Sequence, residues 1–418
     1  MHSTESKKEK FILVAVDTDN IEINVERSLE ELEELVKTSG GEVCGKIIQK
    51  RDVVHRGLYV GSGKVDEIRD HISLYEADGI VCDDELSNTQ IRNLAQELDV
   101  KVLDRTLLIL DIFANRALSA EGKAQVLLAQ LRYRLSHLSG IGKSLSRLGA
   151  GIGTRGPGET KLETDRRHIR NQIDELTREL KQIESHRKLL RENRKKNSSI
   201  VVSLVGYTNA GKSTIMNTFT GSDVYADNKL FATLDTTARK LSLKNQSEVI
   251  LTDTVGFIHK LPTTLIKAFR ATLEELKYAD IIIHVVDAAS PYRDTHMKVV
   301  YDTLGDLNIT DKPIITVFNK MDLEVEFPLP KDKMATKEVL LSAIENKGHE
   351  EFIDSILNIL KEMRKPVKLL IPYTEGSLLN LIRERSEILE ETYENDGTLI
   401  VAYVDEEIYN RSEKFMIL

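Results

Sequence analysis

The stretch that decides the fold is residues 200–213, which read IVVSLVGYTNAGKS. An apolar run typical of a buried parallel strand leads directly into the pattern GxxxxGKS, and residues 214–219 behind it are predicted to form a helix. Such a turn directs backbone N–H groups toward a phosphate, while its lysine neutralises phosphate oxygens and its serine binds Mg²⁺. The pattern predicts a nucleotide-binding loop of these residues: Gly206, Tyr207, Thr208, Asn209, Ala210, Gly211, Lys212 and Ser213.

A second phosphate motif follows the apolar run 249–252 and consists of Asp253, Thr254, Val255 and Gly256. An aspartate at the end of a strand can hold Mg²⁺ through a water molecule, and a glycine allows a backbone N–H to approach the terminal phosphate. The pattern DxxG is common on its own, but here it stands in the expected order behind the phosphate loop. It predicts catalytic roles for Lys212 and Gly256 and a metal site that includes Ser213.

Two further motifs indicate which base is bound. The first follows a strand predicted at 314–318 and consists of Asn319, Lys320, Met321 and Asp322. The Asp322 carboxylate can accept hydrogen bonds from the N1–H and amino group of guanine, which adenine does not offer, while Asn319 braces the loop and Lys320 packs along the base. The second motif consists of Ser342, Ala343 and Ile344 and follows another short strand. Its backbone N–H groups could reach guanine O6. In this order, the motifs favour guanine.

A segment between the two phosphate motifs is predicted to change conformation with the nucleotide. It begins with Phe231, Ala232, Thr233, Leu234 and Asp235, and Thr236 and Thr237 follow. One threonine is expected to bind Mg²⁺ and the terminal phosphate in the GTP-bound form and to withdraw after hydrolysis. The order of the motifs does not decide among Thr233, Thr236 and Thr237.

Two residues bear on how hydrolysis is catalysed. Asn209 stands in GxxNxGKS, a pattern of GTPases that use K⁺ as a fixed positive charge; an asparagine tolerated in a tight loop is the alternative. Phe257 follows Gly256, where many GTPases have a glutamine that orients the attacking water. Because a phenyl ring has neither donor nor acceptor, we expect slow hydrolysis by the free enzyme and stimulation by a partner.

Composition excludes several classes of protein. The 418 residues are 41% hydrophobic and 5% aromatic without tryptophan, which suits a globular chain of several domains and argues against an aromatic-lined sugar or single-stranded RNA platform. No apolar run approaches the roughly 20 residues of a membrane span. Cys44 and Cys82 are too few for a disulfide framework, so we expect a reduced, cytoplasmic monomer with both thiols buried.

The hydrophobic periodicity predicts an α/β fold in four parts. Residues 1–104 form a small N-terminal α/β domain, and 105–196 a long helical hairpin with a glycine-rich loop at 139–160. Residues 197–365 form a P-loop GTPase domain with a mostly parallel sheet, and 366–418 a small C-terminal α+β domain. The hairpin is expected to consist of one helix from Arg105 to about Leu138 and a second from about Leu162 to Lys195.

Two other features have a structural and a functional interpretation. Gly61, Ser62, Gly63 and Lys64 resemble a phosphate loop, but Val65 replaces the Mg²⁺-binding hydroxyl. A tight turn into a helix is therefore favoured over a second nucleotide site. His284 lies inside a predicted buried strand, and the histidines lack metal-ligand spacing, so we expect it to be a core residue with its hydrogen bonds satisfied.

Charge is distributed unevenly along the chain. The net charge is −9, yet residues 131–196 contain 17 Lys/Arg and 8 Asp/Glu, so this segment carries +9 and the remainder −18. A basic segment in an acidic chain suggests contact with a polyanion, although on charge alone a solvated helix of mixed charges is an equal alternative. Residues 366–418 are acidic, with 5 Lys/Arg and 11 Asp/Glu.

Across nearly its whole length, the chain resembles the HflX family of translational GTPases. The resemblance is carried by DDELS at 83–87, VLDRT at 102–106, ILDIF at 109–113, EGK at 121–123 and above all GIGTRGPGETKLE at 151–163. Residues 231–235, FATLD, resemble the family's first switch segment, which favours Thr233 as the Mg²⁺ ligand. The family pattern usually continues DPT, whereas Thr236 follows Asp235 here; we expect little consequence.

The resemblance implies binding to the large ribosomal subunit and GTP-dependent splitting of stalled or stressed ribosomes. It also implies that the glycine-rich loop of the basic hairpin 131–196 contacts ribosomal RNA near the peptidyl-transferase region. The residues alone indicate only a GTPase with a basic hairpin. There are two alternatives. One is an RNA-modification or RNA-processing GTPase that acts on tRNA or rRNA, and the other is a regulatory switch with a protein effector.

Overall fold

The computed structural model describes residues 8–18, 24–138, 157–196, 200–221, 230–231, 237–243, 248–260 and 273–417. These residues form three sheets, of four, six and three strands. The predicted α/β class, with a mostly parallel central sheet and an α+β C-terminal part, is confirmed. Within the described ranges, no helix has both the length and the apolar character needed to cross a bilayer.

The N-terminal sheet is parallel throughout and has the strand order β2-β1-β3-β4. Its strands are β1 (Lys10–Asp17), β2 (Glu42–Lys50), β3 (Gly79–Cys82) and β4 (Lys101–Asp104). The helices between them are α1 (Val25–Thr38), α2 (Ser62–Tyr75) and α3 (Asn88–Leu98). Strand β2 was not predicted, because it is an edge strand whose polar residues leave most of its side chains partly exposed.

The predicted first helix of the hairpin is in fact two helices, α4 (Arg105–Arg116) and α5 (Ala120–His137). Ala117 is extended, and the side chain of Ser119 caps α5 by accepting a hydrogen bond from the Gly122 N–H at 2.8 Å. The expectation of a continuous helix is therefore wrong, because the capping serine starts a new one.

The second helix of the hairpin, α6 (Pro157–Lys196), has 40 residues and begins five residues earlier than expected. Proline suits the first turn of a helix, where its missing N–H would have no partner. Near its far end, Arg187 pairs with Glu121 at the start of α5, so the two helices run antiparallel. Of the glycine-rich loop predicted at 139–160, residues 139–156 lie outside the described part of the chain.

The central sheet has the order β10-β9-β8-β5-β7-β6, and only β6 is antiparallel to its neighbour. Its strands are β5 (Val201–Gly206), β6 (Thr237–Ser242), β7 (Glu248–Asp253), β8 (Ile281–Asp287), β9 (Ile314–Asn319) and β10 (Lys337–Leu340). The α-helices described in this region are α7 (Lys212–Thr220), α8 (Arg293–Asp306) and α9 (His349–Met363). The carboxyl ends of the parallel strands share one edge, where ligands bind in such sheets.

The C-terminal sheet is antiparallel and has the order β11-β13-β12. Its strands are β11 (Lys365–Ile371), β12 (Glu387–Glu394) and β13 (Gly397–Val404), accompanied by α10 (Gly376–Arg385) and α11 (Glu406–Ser412). The two predicted strands correspond to β11 and β13. Strand β12 was missed because it lies at the sheet edge and four of its eight residues are glutamates.

The N-terminal sheet and the central sheet share a hydrophobic core. One cluster joins Leu13 and Phe113 from the N-terminal half to Phe231, Val255 and Ile258 from the central region. The rings of Phe113 and Phe231 meet edge to face, with centroids 4.6 Å apart. This shared core places the N-terminal half directly beside the segment that contains the second phosphate motif.

Candidate nucleotide site

The phosphate loop connects β5 to α7, as predicted. Gly211 has a φ of +96°, and a Cβ at this position would lie 2.2 Å from Asn319 Nδ2, so only glycine fits there. Lys212 begins α7, is 6% exposed, and donates through Nζ to the carbonyls of Gly206 at 3.1 Å and Tyr207 at 2.9 Å. Burial lowers the pKa of Lys212 to about 8. A polyanion next to this ammonium group would favour its charged form.

The predicted metal ligands lie together at the ends of adjacent elements. Ser213 Oγ donates to Asp253 Oδ2 at 2.8 Å, and the Asp253 side chain is fully buried at the end of β7. A hydroxyl and a carboxylate in contact are the hard oxygen ligands that suit Mg²⁺. The third predicted ligand, Thr233, lies outside the described residues, as do Ala232, Leu234 and Asp235.

The second phosphate motif packs against the phosphate loop. A Cβ built on Gly256 would lie 2.9 Å from Thr208 Cα and 3.1 Å from Lys212 Nζ. The Thr208 N–H donates to the Phe257 carbonyl at 2.8 Å, and the Phe257 N–H donates to the Gly206 carbonyl at 3.1 Å. This close approach requires glycine at position 256 and brings the two phosphate motifs together.

The base-reading motifs are linked by hydrogen bonds. Asn319 donates from Nδ2 to the Ala210 carbonyl at 3.0 Å, and its Oδ1 accepts from the Ala343 N–H at 3.1 Å. Ser342 Oγ donates to Asp322 Oδ1 at 2.6 Å. Asn319 thus links the phosphate loop to the loop that contains Ala343, and Ser342 holds the Asp322 carboxylate.

The remaining residues of these two motifs are Met321, Ile344 and Lys320. The Met321 N–H donates to the Leu341 carbonyl at 3.2 Å, and the Ile344 side chain is 77% exposed. Lys320 pairs with Asp287 at 2.7 Å. Asp287 was not predicted, although its place at the end of the apolar strand β8 was a usable signal.

Two aromatic residues of the predicted site also contact the N-terminal half. The Phe231 ring is 2% exposed and lies in the shared core against Phe113. The Tyr207 hydroxyl donates to Glu31 of α1 and accepts from the His259 N–H at 2.8 Å. The Tyr207 ring stacks on His296, with centroids 3.8 Å apart. Their side chains therefore have a structural role that the motifs did not indicate.

A buried charge network fixes the segment after Gly256 to the N-terminal sheet. Arg105, 1% exposed, pairs with Glu31 and with Asp83 at 2.8 Å. Arg105 also donates to the His259 carbonyl at 3.1 Å. Lys260 lies 2.6 Å from both Asp83 and Asp84.

Arg105, Asp83 and Asp84 belong to stretches that carried the family resemblance, but their function was not predicted. Burial lowers the pKa of Arg105 to about 10, so its guanidinium remains charged at neutral pH. The carboxylates of Glu31 and Asp83 provide the counter-charges that such a buried cation requires.

The two features with competing interpretations are structural. Gly61 caps α2, which begins at Ser62, and Lys64 pairs with Glu67 at 2.7 Å; the predicted turn into a helix is confirmed. His284 is 1% exposed, and burial lowers its pKa to about 4, so it is a neutral core residue as predicted. Among the described residues, however, its Nδ1 has no hydrogen-bond partner.

A phosphate loop, an aspartate beside its serine and two guanine motifs lie at one edge of a six-stranded, mostly parallel sheet. This arrangement defines a P-loop GTPase. Three family models match successive parts of the chain: a GTP-binding GTPase N-terminal region at residues 26–114, a GTP-binding GTPase middle region at 116–194 and a 50S ribosome-binding GTPase at 201–320.

Relatives named GTPase HflX match most of the chain. The protein of Lacrimispora saccharolytica is 50% identical over 96% of this chain and 95% of its own. That of Caldanaerobacter subterraneus subsp. tengcongensis is 48% identical over 100% and 96%, and that of Escherichia coli is 40% identical over 89% and 88%. The chain belongs to the HflX family of GTPases and is a GTP-hydrolysing enzyme.

Proposed function

We propose that this GTPase binds the large ribosomal subunit and dissociates stalled or stressed ribosomes. The observation that carries the proposal is the basic hairpin, held in a chain whose GTPase region matches the model of 50S ribosome-binding GTPases. Helix α6 has 40 residues and at 1.5 Å per residue reaches roughly 60 Å. A rod of that length, which belongs to the basic segment 131–196, suits insertion between RNA-rich surfaces.

In this proposal, the described residues divide the work of GTP hydrolysis. Lys212 neutralises phosphate oxygens, the Gly256 N–H donates to the terminal phosphate, and Asp322 selects guanine. Ser213, Asp253 and Thr233 would hold Mg²⁺, which would supply positive charge to the phosphate oxygens. Water then attacks the γ-phosphorus, and the bond to the β–γ bridging oxygen breaks to give GDP and phosphate.

We also propose that Asn209 holds a K⁺ ion beside the phosphates. Asn209 is exposed and adopts a φ of +60°, a conformation in which asparagine is better tolerated than most residues. A cation there would stabilise charge that develops on the bridging oxygen. The test compares hydrolysis rates in KCl and NaCl at one ionic strength, with and without ribosomes. Equal rates would contradict a role for K⁺.

Ribosome binding and splitting are separable in two measurements. Cosedimentation with purified large subunits, using a non-hydrolysable GTP analogue, should show salt-sensitive binding, because the hairpin contacts are electrostatic. Light scattering of intact ribosomes should fall when the protein and the analogue are added. Binding to free tRNA or rRNA without a fall in scattering would favour the RNA-processing alternative.

A further inference from the structure

The two faces of the C-terminal sheet differ in what covers them. On one face, Leu369 and Ile400 of the sheet form a hydrophobic cluster with Leu378 and Ile382 of α10 and Ile408 of α11. Successive side chains of a strand point to opposite faces, so the residues between the buried ones belong to the other face. We call it the open face, and on β11 and β13 it consists of residues that are not buried: Pro366, Lys368, Leu370, Leu399, Val401 and Tyr403.

The centre of the open face is apolar. The strand register places Leu370 opposite Leu399 and Lys368 opposite Val401. Tyr403, two residues beyond Val401, is 37% exposed. Among the described residues, the hydrophobic clusters include none of the four apolar side chains Leu370, Leu399, Val401 and Tyr403. Neighbouring apolar side chains that remain outside every core suit a contact with another molecule.

The border of the open face along β12 is acidic. The register places Glu390 opposite Val401 and Glu387 opposite Tyr403. Both glutamates are exposed, and Glu387 lies 3.6 Å from Arg364. The apolar centre is therefore flanked by carboxylates on the β12 side.

The charge of this part of the chain decides between RNA and protein as the partner. Residues 366–418 contain 5 Lys/Arg and 11 Asp/Glu, a net charge of 5 − 11 = −6. Such a surface repels the phosphate groups of RNA and attracts a protein surface that is itself basic. Proteins that bind ribosomal RNA have such basic surfaces. An apolar centre with a charged rim is also the common arrangement where two proteins meet.

We propose that the open face docks on a basic protein of the large ribosomal subunit. The inference rests on the proposed function and adds a second contact to it, because the basic hairpin contacts RNA and the acidic C-terminal sheet contacts protein. The side chains around Val401 form the centre of this contact, and Glu390 pairs with a Lys or Arg of the partner. The three matched family regions end at residue 320, so they assign no role to this sheet.

A matched pair of charge reversals in the full-length protein tests the docking surface. Glu390→Arg changes the open face, whereas Glu384→Arg makes the same change of charge on α10, which covers the opposite face. The dissociation constant for purified large subunits is measured by cosedimentation with a non-hydrolysable GTP analogue. It should rise at least about 10-fold in Glu390→Arg and stay within about twofold of the parent in Glu384→Arg. Hydrolysis of GTP without ribosomes should be unchanged in both variants, since neither residue belongs to the nucleotide site.

A photo-crosslink identifies the class of the partner. Tyr403 is replaced by p-benzoylphenylalanine, and the full-length protein is irradiated on large subunits with the same analogue. The expected product joins the chain to a ribosomal protein of basic composition, which mass spectrometry identifies.

Four results would overturn the proposal. Equal affinities of the two charge-reversal variants show that the open face is not part of the contact. Tighter binding of Glu390→Arg, or a crosslink from position 403 to ribosomal RNA, shows that this face meets RNA instead. The absence of any crosslink to the subunit from position 403 shows that the face is not docked. A parent that does not cosediment with large subunits refutes the proposed function, and this inference with it.

Discussion

The base side and the phosphate side of the nucleotide site are held by different parts of the molecule. On the base side, Asn319 bonds to Ala210 and Ala343, which both belong to the GTPase region. On the phosphate side, Tyr207 bonds to Glu31 of the N-terminal half, and Arg105 fixes the segment after Gly256. The base side is thus built within one region, whereas the phosphate side is completed by a second one.

The largest expected effect is on the phosphate side and comes from Lys212→Ala. Removal of this charge should lower kcat/KM for GTP at least about 100-fold, because no other described lysine occupies the phosphate loop. The variant should still prefer GDP to ADP in titrations, since Asp322 is untouched. Loss of that preference would show that the two sides are not independent.

Arg105→Met should break the connection to the N-terminal half. Asp83 and Glu31 would lose their buried cation, which costs about 3–5 kcal/mol of the free energy of unfolding. Urea denaturation followed by circular dichroism measures it. The matched control is Arg69→Met, where the arginine side chain is 44% exposed and pairs with the exposed Asp66, so the loss should stay near 1 kcal/mol. Equal losses would contradict the assignment of Arg105 as the centre of the network.

Asp322→Asn should change the base side alone. Exchange of the carboxylate for an amide should weaken GTP binding by about 30-fold, equivalent to about 2 kcal/mol for a charged hydrogen bond. Xanthosine triphosphate should bind better than to the parent, because its carbonyl at position 2 can accept from the new amide. Unchanged GTP affinity in a titration would contradict the assignment of residues 319–322 as the loop that recognises guanine.

The smallest expected effect concerns His296, which stacks on Tyr207. Burial lowers the pKa of His296 from 6.5 to about 3, so the unfolded chain binds this proton more readily than the folded protein. The stabilising effect of the neutral ring is complete above pH 6.5 and is lost as pH falls toward 3. His296→Phe should remove about 1 kcal/mol of the stability loss between pH 7 and pH 5, half the full linkage value because the ring is partly exposed. If the parent and the His296→Phe variant show the same pH dependence of stability in urea denaturation, this prediction is wrong.

The sequence was sufficient to predict the motifs of the base side. It did not predict the contacts that the N-terminal half makes on the phosphate side. Motifs at the ends of apolar strands converge because parallel strands share one edge, which is how Lys212, Asp253 and Asn319 were found together. Glu31 and Arg105 lie far from Tyr207 in the sequence, and no periodicity links a charge on one helix to a tyrosine in a distant loop. Such contacts depend on how two sheets pack, which a local pattern does not encode.

The missed elements have a common physical cause. Strands β2, β6 and β12 have several exposed side chains each, so their residues do not form the apolar runs that mark a buried strand. The break between α4 and α5 depends on one capping bond at Ser119. A single serine among helix-forming residues is a weak signal until the hydrogen bond is seen.

The most direct test of the proposed function is single-turnover GTP hydrolysis measured with and without purified large ribosomal subunits. Because Phe257 cannot orient water, the free enzyme should be slow, and large subunits should accelerate it at least about 10-fold. A variant with Arg155 and the flanking glycines replaced by a Ser/Gly linker should bind GTP normally and lose this stimulation. Equal stimulation of the parent and the loop variant would contradict the role given to the basic hairpin, and no stimulation of either would contradict the ribosome as the partner.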